Sequence, residues 1–75
     1  MNLAIAPLNQ DFEIIKIKKI KDESQKKLLN NMGFIEGAVI TVVSENFGNL
    51  IVKIKGSRVA IGKDLATRIE VNSIG

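Results

Sequence analysis

The stretch Leu50-Ile51-Val52-Lys53-Ile54-Lys55-Gly56-Ser57-Arg58-Val59-Ala60-Ile61 decides the fold. Leu50, Val52 and Ile54 fall on one side of an extended chain, and Lys53 and Lys55 on the other, which is the alternation of a half-buried strand. Lys55-Gly56-Ser57 is a tight turn, because glycine adopts left-handed backbone that other residues resist. Arg58-Val59-Ala60-Ile61 then resumes the alternation, with Val59 and Ile61 inward. The whole reads as a hairpin with one apolar face.

More strands lie on either side. Upstream, Ala38-Val39-Ile40-Thr41-Val42-Val43 is a strand, joined to the hairpin by a loop of Glu45, Asn46, Phe47, Gly48 and Asn49. Further back, Phe12-Glu13-Ile14-Ile15-Lys16-Ile17-Lys18 is a first strand with a broken pattern. Phe12 and Ile14 share one face, and Ile15 and Ile17 take over on the other. A change of phase inside a strand predicts a bulge. Lys18, Lys19 and Lys21 follow in a polar connection. Downstream, Gly62 ends the hairpin, residues 64–68 can form one helical turn, and Ile69-Glu70-Val71 is a short fifth strand. The first seven residues read as a lead-in, with Pro7 fixing an extended entry.

One helix interrupts the strands. Asp22 can cap the free N–H groups of a first turn, and Gln25 three residues on can complete a capping box. Leu28, Leu29 and Met32 form its apolar stripe, with Lys26, Lys27, Asn30 and Asn31 largely outside it. Gly33 supplies the left-handed residue that ends it, and Phe34 can fold back onto Leu29. Gly37 makes a second bend. A helix this short does not persist alone in water, so it must pack on the sheet.

The composition agrees. Isoleucine and valine make up 18 of the 75 residues and leucine 6, an excess of β-branched side chains that favours strands. The chain reads as mainly β: one domain over residues 1–75, with a core over about 8–71. About five strands with one short helix between strands 1 and 2 match the order of a small SH3-like barrel, closed or partly open. No run reaches the roughly 18 apolar residues of a membrane span. The start lacks the basic and apolar regions of an export signal, and cysteine is absent. A cytoplasmic location is expected.

The chemistry is limited. There is no histidine and no cysteine, which removes the commonest general base and the thiolate and imidazole metal ligands. The closest carboxylate pair, Asp22-Glu23, is explained by the favourable placing of negative charge at a helix N-terminus. Gly33 and Gly37 lack the Lys-Ser/Thr that a phosphate-binding loop needs. No catalytic residue, metal site or cofactor is expected, and no enzymatic activity.

What remains is a surface. Six of the lysines lie between Lys16 and Lys27, against only Asp22 and Glu23. They make either a solvated face or an electrostatic dock for an acidic protein or for nucleic acid. Without tryptophan or tyrosine, a base-stacking platform is poorly supplied. Phe34, Ile35 and Phe47 all lie at turns. Phe34 has its helix-capping role, whereas Phe47, between Asn46 and Gly48, either folds over the barrel mouth or offers itself to a partner. Lys26, Lys27, Phe34, Ile35 and Phe47 are therefore the candidate partner-binding residues. Exposed strand edges leave self-association open.

Two longer stretches carry a resemblance. In Lys26-Lys27-Leu28-Leu29-Asn30-Asn31-Met32-Gly33-Phe34-Ile35-Glu36-Gly37-Ala38-Val39-Ile40, a basic pair and leucines precede a glycine and a turn that ends in glycine. In Val52-Lys53-Ile54-Lys55-Gly56-Ser57-Arg58-Val59-Ala60-Ile61-Gly62-Lys63-Asp64-Leu65-Ala66-Thr67-Arg68-Ile69-Glu70-Val71, a glycine hairpin leads to an alanine-bearing turn and a final Ile-x-Val. Together they resemble the FeoA family, the small cytoplasmic SH3-like component of bacterial ferrous iron uptake. The likeness spans residues 8–71 and departs from the family's usual residues at Asp11, Lys26-Lys27, Met32 and Gly62. It implies an accessory protein, not an enzyme, that acts on a FeoB-like membrane transporter through its cytoplasmic GTP-binding region. The same module occurs as the C-terminal domain of iron- and manganese-responsive repressors. A free-standing chain favours the transporter role, with a stand-alone relative of those domains or a small nucleic-acid-binding barrel as the alternatives.

Overall fold

The computed structural model describes residues 1–74. Five antiparallel strands form one sheet: β1 (Asp11–Ile17), β2 (Val39–Asn46), β3 (Asn49–Ile54), β4 (Ser57–Gly62) and β5 (Ile69–Ser73), in the order β4-β3-β2-β1-β5. Helix α1 (Glu23–Asn31) lies between β1 and β2, and a single turn, α2 (Lys63–Ala66), between β4 and β5. The sheet curls around one core, in which Phe12, Ile14, Ile40, Val52, Ile69 and Val71 are completely buried. β4 and β5 are the two ends of the sheet and do not pair, so the barrel is partly open.

The expected bulge is present. The β1–β5 register shifts between Ile14 and Lys16, so Ile15 is the extra residue. Its consequence differs from the sequence expectation. The bulge absorbs one residue, so Ile17, opposite Ile69, packs against the same core as Ile14, while Ile15 stays 42% exposed. A second bulge lies in β2, between Val42 and Ser44.

Four further readings are corrected. Residues 45, 46 and 49 belong to the β2–β3 ladder, which leaves only Phe47-Gly48 as the turn. Both have positive φ, 49° and 82°, which defines a two-residue type I′ hairpin. The lead-in is not simply extended: Leu3–Ile5 form a 3₁₀ turn capped by the Asn2 side chain, and Leu3 is fully buried. Ile20, within the lysine-rich connection, is 7% exposed and joins the core. In α1, Leu29 is buried and Met32 half-buried, but Leu28 is 57% exposed. α1 approaches the strands only sparsely, so Leu29 is the residue of the helix that is buried.

The α1 caps follow the sequence. Asp22 accepts from Ser24 N–H (2.9 Å) and Gln25 N–H (3.3 Å). At the other end, Gly33 takes φ +93° and Phe34 N–H donates to Leu29 O (3.0 Å), which brings the Phe34 ring over the helix. Asp22→Ala should lower stability by about 1 kcal/mol, read as a shift of the thermal midpoint by circular dichroism. An unchanged midpoint would mean that the cap is redundant.

Candidate functional surface

The five candidate residues do not form one surface. Lys26 and Lys27 are exposed on α1, and Ile35 is 44% exposed just beyond it. Phe34 is only 2% exposed, because the helix-capping turn folds its ring inward; it is not an open contact residue. These four lie near the end of the barrel that carries the Lys55-Gly56 turn. The Lys55 stem runs so close to Gly33 that a Cβ there would meet it at 2.7 Å. Phe47 is at the other end, separated by the length of β3, roughly 20 Å at the usual rise of a strand. Sequence reasoning grouped these residues by character, and the fold separates them.

At the α1 end, Lys26 and Phe34 share a groove of about 420 Å³ with Ile17, Lys18, Lys19, Ile20, Leu29 and Asn30. Its floor is apolar because Ile17, Ile20, Leu29 and Phe34 all belong to the core layer or pack against it. Its rim is cationic. Lys18 is partly neutralised by Glu70 at 3.2 Å, while Lys19 and Lys26 have no ion pair among the described residues. Lys27 is outside this groove, and Ile35 borders a neighbouring one with Met32 and Lys55. Ile20 is the groove residue that sequence reading missed. A lone isoleucine among four lysines carries no periodic signal.

At the far end, Phe47 is 97% exposed. It therefore does not fold over the barrel mouth. Its turn is braced: Lys63 N–H donates to Gly48 O (3.0 Å), and Lys63 Nζ lies 2.6 Å from Glu45. A bulky side chain in left-handed backbone is unfavourable, and type I′ turns prefer Asn-Gly. Phe47→Asn should therefore raise stability by about 1 kcal/mol, measured in a urea titration followed by circular dichroism. A loss of stability would mean that the ring makes contacts its exposure does not indicate.

Among the described residues, no three carboxylates converge as a metal site, and no helix is long and apolar enough to cross a membrane. Among the described residues, no buried side-chain polar atom lacks a hydrogen-bond partner. The described surface carries a lysine-rimmed apolar groove and an exposed aromatic tip.

Comparison with known proteins places this geometry. The family model described as the FeoA domain matches residues 1–73. A crystal structure of an iron uptake regulatory protein (FeoA) is 29% identical, with a TM-score of 0.81, over 99% of this chain and 97% of that one. The FeoA of Stenotrophomonas maltophilia, solved with zinc and described as a prokaryotic SH3-domain protein, superposes with a TM-score of 0.83 at 21% identity, over 96% of this chain and 89% of that one. A manganese-dependent transcriptional repressor shares the fold, with a TM-score of 0.84 at 18% identity; it covers 99% of this chain, which spans 41% of the repressor. No curated protein matches in sequence.

Proposed function

Because this chain belongs to the FeoA family, which is associated with ferrous iron transport and has an SH3-like fold, we propose that it regulates ferrous iron uptake by binding a transporter protein. The partner is the cytoplasmic GTP-binding region of a FeoB-like membrane transporter, met on the cytoplasmic side without insertion into the bilayer. The observation that carries this reading is the groove between β1 and α1. Its apolar floor of Ile17, Ile20, Leu29 and Phe34 can take an apolar side chain, and Lys19 and Lys26 can steer an acidic surface towards it. Catalysis forms no part of the proposal. The repressor's likeness is one of fold alone at 18% identity, so it does not favour a DNA-linked role.

The test is binding of the purified transporter region to wild-type protein and to a Lys26→Glu/Lys27→Glu variant. Both side chains are exposed, so the fold should be unaffected. Reversing the rim charge of Lys26 and the neighbouring charge of Lys27 should weaken binding on the order of tenfold, chiefly through slower association, with a smaller dependence on salt. Equal binding by both proteins would remove the lysine dock. Absence of binding by the wild-type protein would remove the transporter reading.

A further inference from the structure

The two ends of the sheet are not alike. β5 is covered: Asn2 bridges to Glu70, and Val71 N–H donates to Met1 O at 2.8 Å. β4 is open. The Lys55-Gly56 turn, with φ of 48° and 78°, closes on Ile54 and Ser57, which makes them the first hydrogen-bonded pair of a two-residue hairpin. Alternation makes Val52–Val59 and Leu50–Ile61 the next such pairs. Arg58, Ala60 and Gly62 must then aim their N–H and C=O groups away from β3. The N–H and C=O groups of Arg58 and Ala60 have no backbone partner among the described residues, and both residues are exposed. Gly62 caps α2, so its C=O is turned to that helix.

Proteins protect such an edge with a proline, a bulge, charged side chains or a covering helix or loop. β4 has no proline and no bulge, its register with β3 is unbroken over all six residues, and Arg58 is its one charged side chain. A second feature lies beside it. On the outer face, Lys53 and Arg58 are directly opposite each other, a like-charge cross-strand pair with no acidic partner among the described residues. Such a pair opposes folding, and its field is satisfied by a carboxylate placed next to it. Above Arg58 on the same face, Ala60 sits beside the half-buried Ile51, so an apolar side chain fits there.

We propose that β4 is a strand-addition site for an extended segment of a partner protein, running antiparallel to it. The segment carries a β-branched residue opposite Ala60 and an acidic residue, two positions later, opposite Arg58. Backbone bonds to Arg58 and Ala60 supply affinity, and the Lys53–Arg58 pair supplies selectivity. A second copy fits less well. Pairing β4 with itself about Ala60 puts Arg58 opposite Gly62 and leaves both like-charge pairs unneutralised. The inference rests on a protein partner of the kind proposed above but not on its identity, and the site is distinct from the lysine groove.

The test uses the peptide Thr-Thr-Val-Thr-Glu-Thr, tethered to the C-terminus of the full chain by about 20 Gly/Ser residues. Such a linker reaches about 25 Å, which puts the peptide near the edge at about millimolar effective concentration. Amide exchange is read by NMR. The Arg58 and Ala60 amides should exchange at least about tenfold more slowly than in the untethered protein. A counterpart with Lys in place of Glu should protect them less. Ala60→Pro removes one outward N–H without touching the β3 ladder, and it should abolish protection of the Arg58 amide. Unchanged exchange at both amides overturns the proposal, as does equal protection by the Glu and Lys peptides. Concentration-dependent protection without any peptide would assign the edge to a second copy and also overturn it. Lys26→Glu/Lys27→Glu should leave peptide protection intact, so failure here is separable from failure of the groove.

Discussion

Phe34→Ala is expected to abolish most of the folded population near physiological temperature. Phe34 is 2% exposed, closes the C-terminal end of α1 through its bond to Leu29 O, and floors the lysine-rimmed groove. Truncating a buried phenylalanine costs about 3–5 kcal/mol, because the transfer energy of the ring is lost and a cavity is left. A chain of 75 residues is stable by only about 4–11 kcal/mol, so the loss is a large share of the total. The thermal midpoint should fall by more than about 12 °C, since each kcal/mol is worth about 4–8 °C at this size. The protein has no tryptophan or tyrosine, so the melt is followed by far-ultraviolet circular dichroism or calorimetry. Phe34→Leu keeps most of the volume and should cost less than about 2 kcal/mol. A drop of only a few degrees for the alanine variant would show that the groove floor collapses around the missing ring. Loss of partner binding in Phe34→Ala would therefore report on folding, whereas loss in the leucine variant reports on the groove.

The second large effect is at the start of the chain. Leu3→Ala should cost about 2–5 kcal/mol, although a residue so near the first position usually tolerates change. Leu3 is completely buried in a 3₁₀ turn, held by the Asn2 side chain accepting from Ala4 N–H at 2.9 Å. The control is two residues away. Ile5 is 70% exposed, and Ile5→Ala should change stability by no more than about 0.5 kcal/mol. Urea titrations of the two variants decide the matter. Equal midpoints would show that the first turn is not part of the cooperative fold. A low midpoint for Leu3→Ala alone would show that residues 1–7 close the barrel beside β5.

The β3–β4 hairpin was legible because Leu50, Val52 and Ile54 alternate cleanly and Gly56 has few other uses. The α1 ends were legible because Asp22 and Gly33 act on their own neighbours. The bulge in β1 was legible as a break of phase, but its sense was not. Two adjacent isoleucines can be divided between faces in two ways, and pairing with Ile69 decides that Ile17 is the inward one. Phe47 was legible as a turn residue. Its loop was read as five residues instead of two, because Glu45, Asn46 and Asn49 look like loop residues and yet lie in the ladder.

Sequence alone determined the mainly β architecture, the one helix with its caps, the family likeness and the absence of histidine and cysteine. Those properties depend on residue type and on spacings of a few positions, which local sterics and hydrogen bonding translate directly into conformation. Only the tertiary structure decided which residues share a surface. It put Phe47 and Lys26 at opposite ends, turned Phe34 into a floor, drew Leu3 and Ile20 into the core and left β4 as the bare edge. Each of these outcomes depends on contacts between segments distant in sequence, set by sheet order and by how far the barrel closes. No local pattern encodes them.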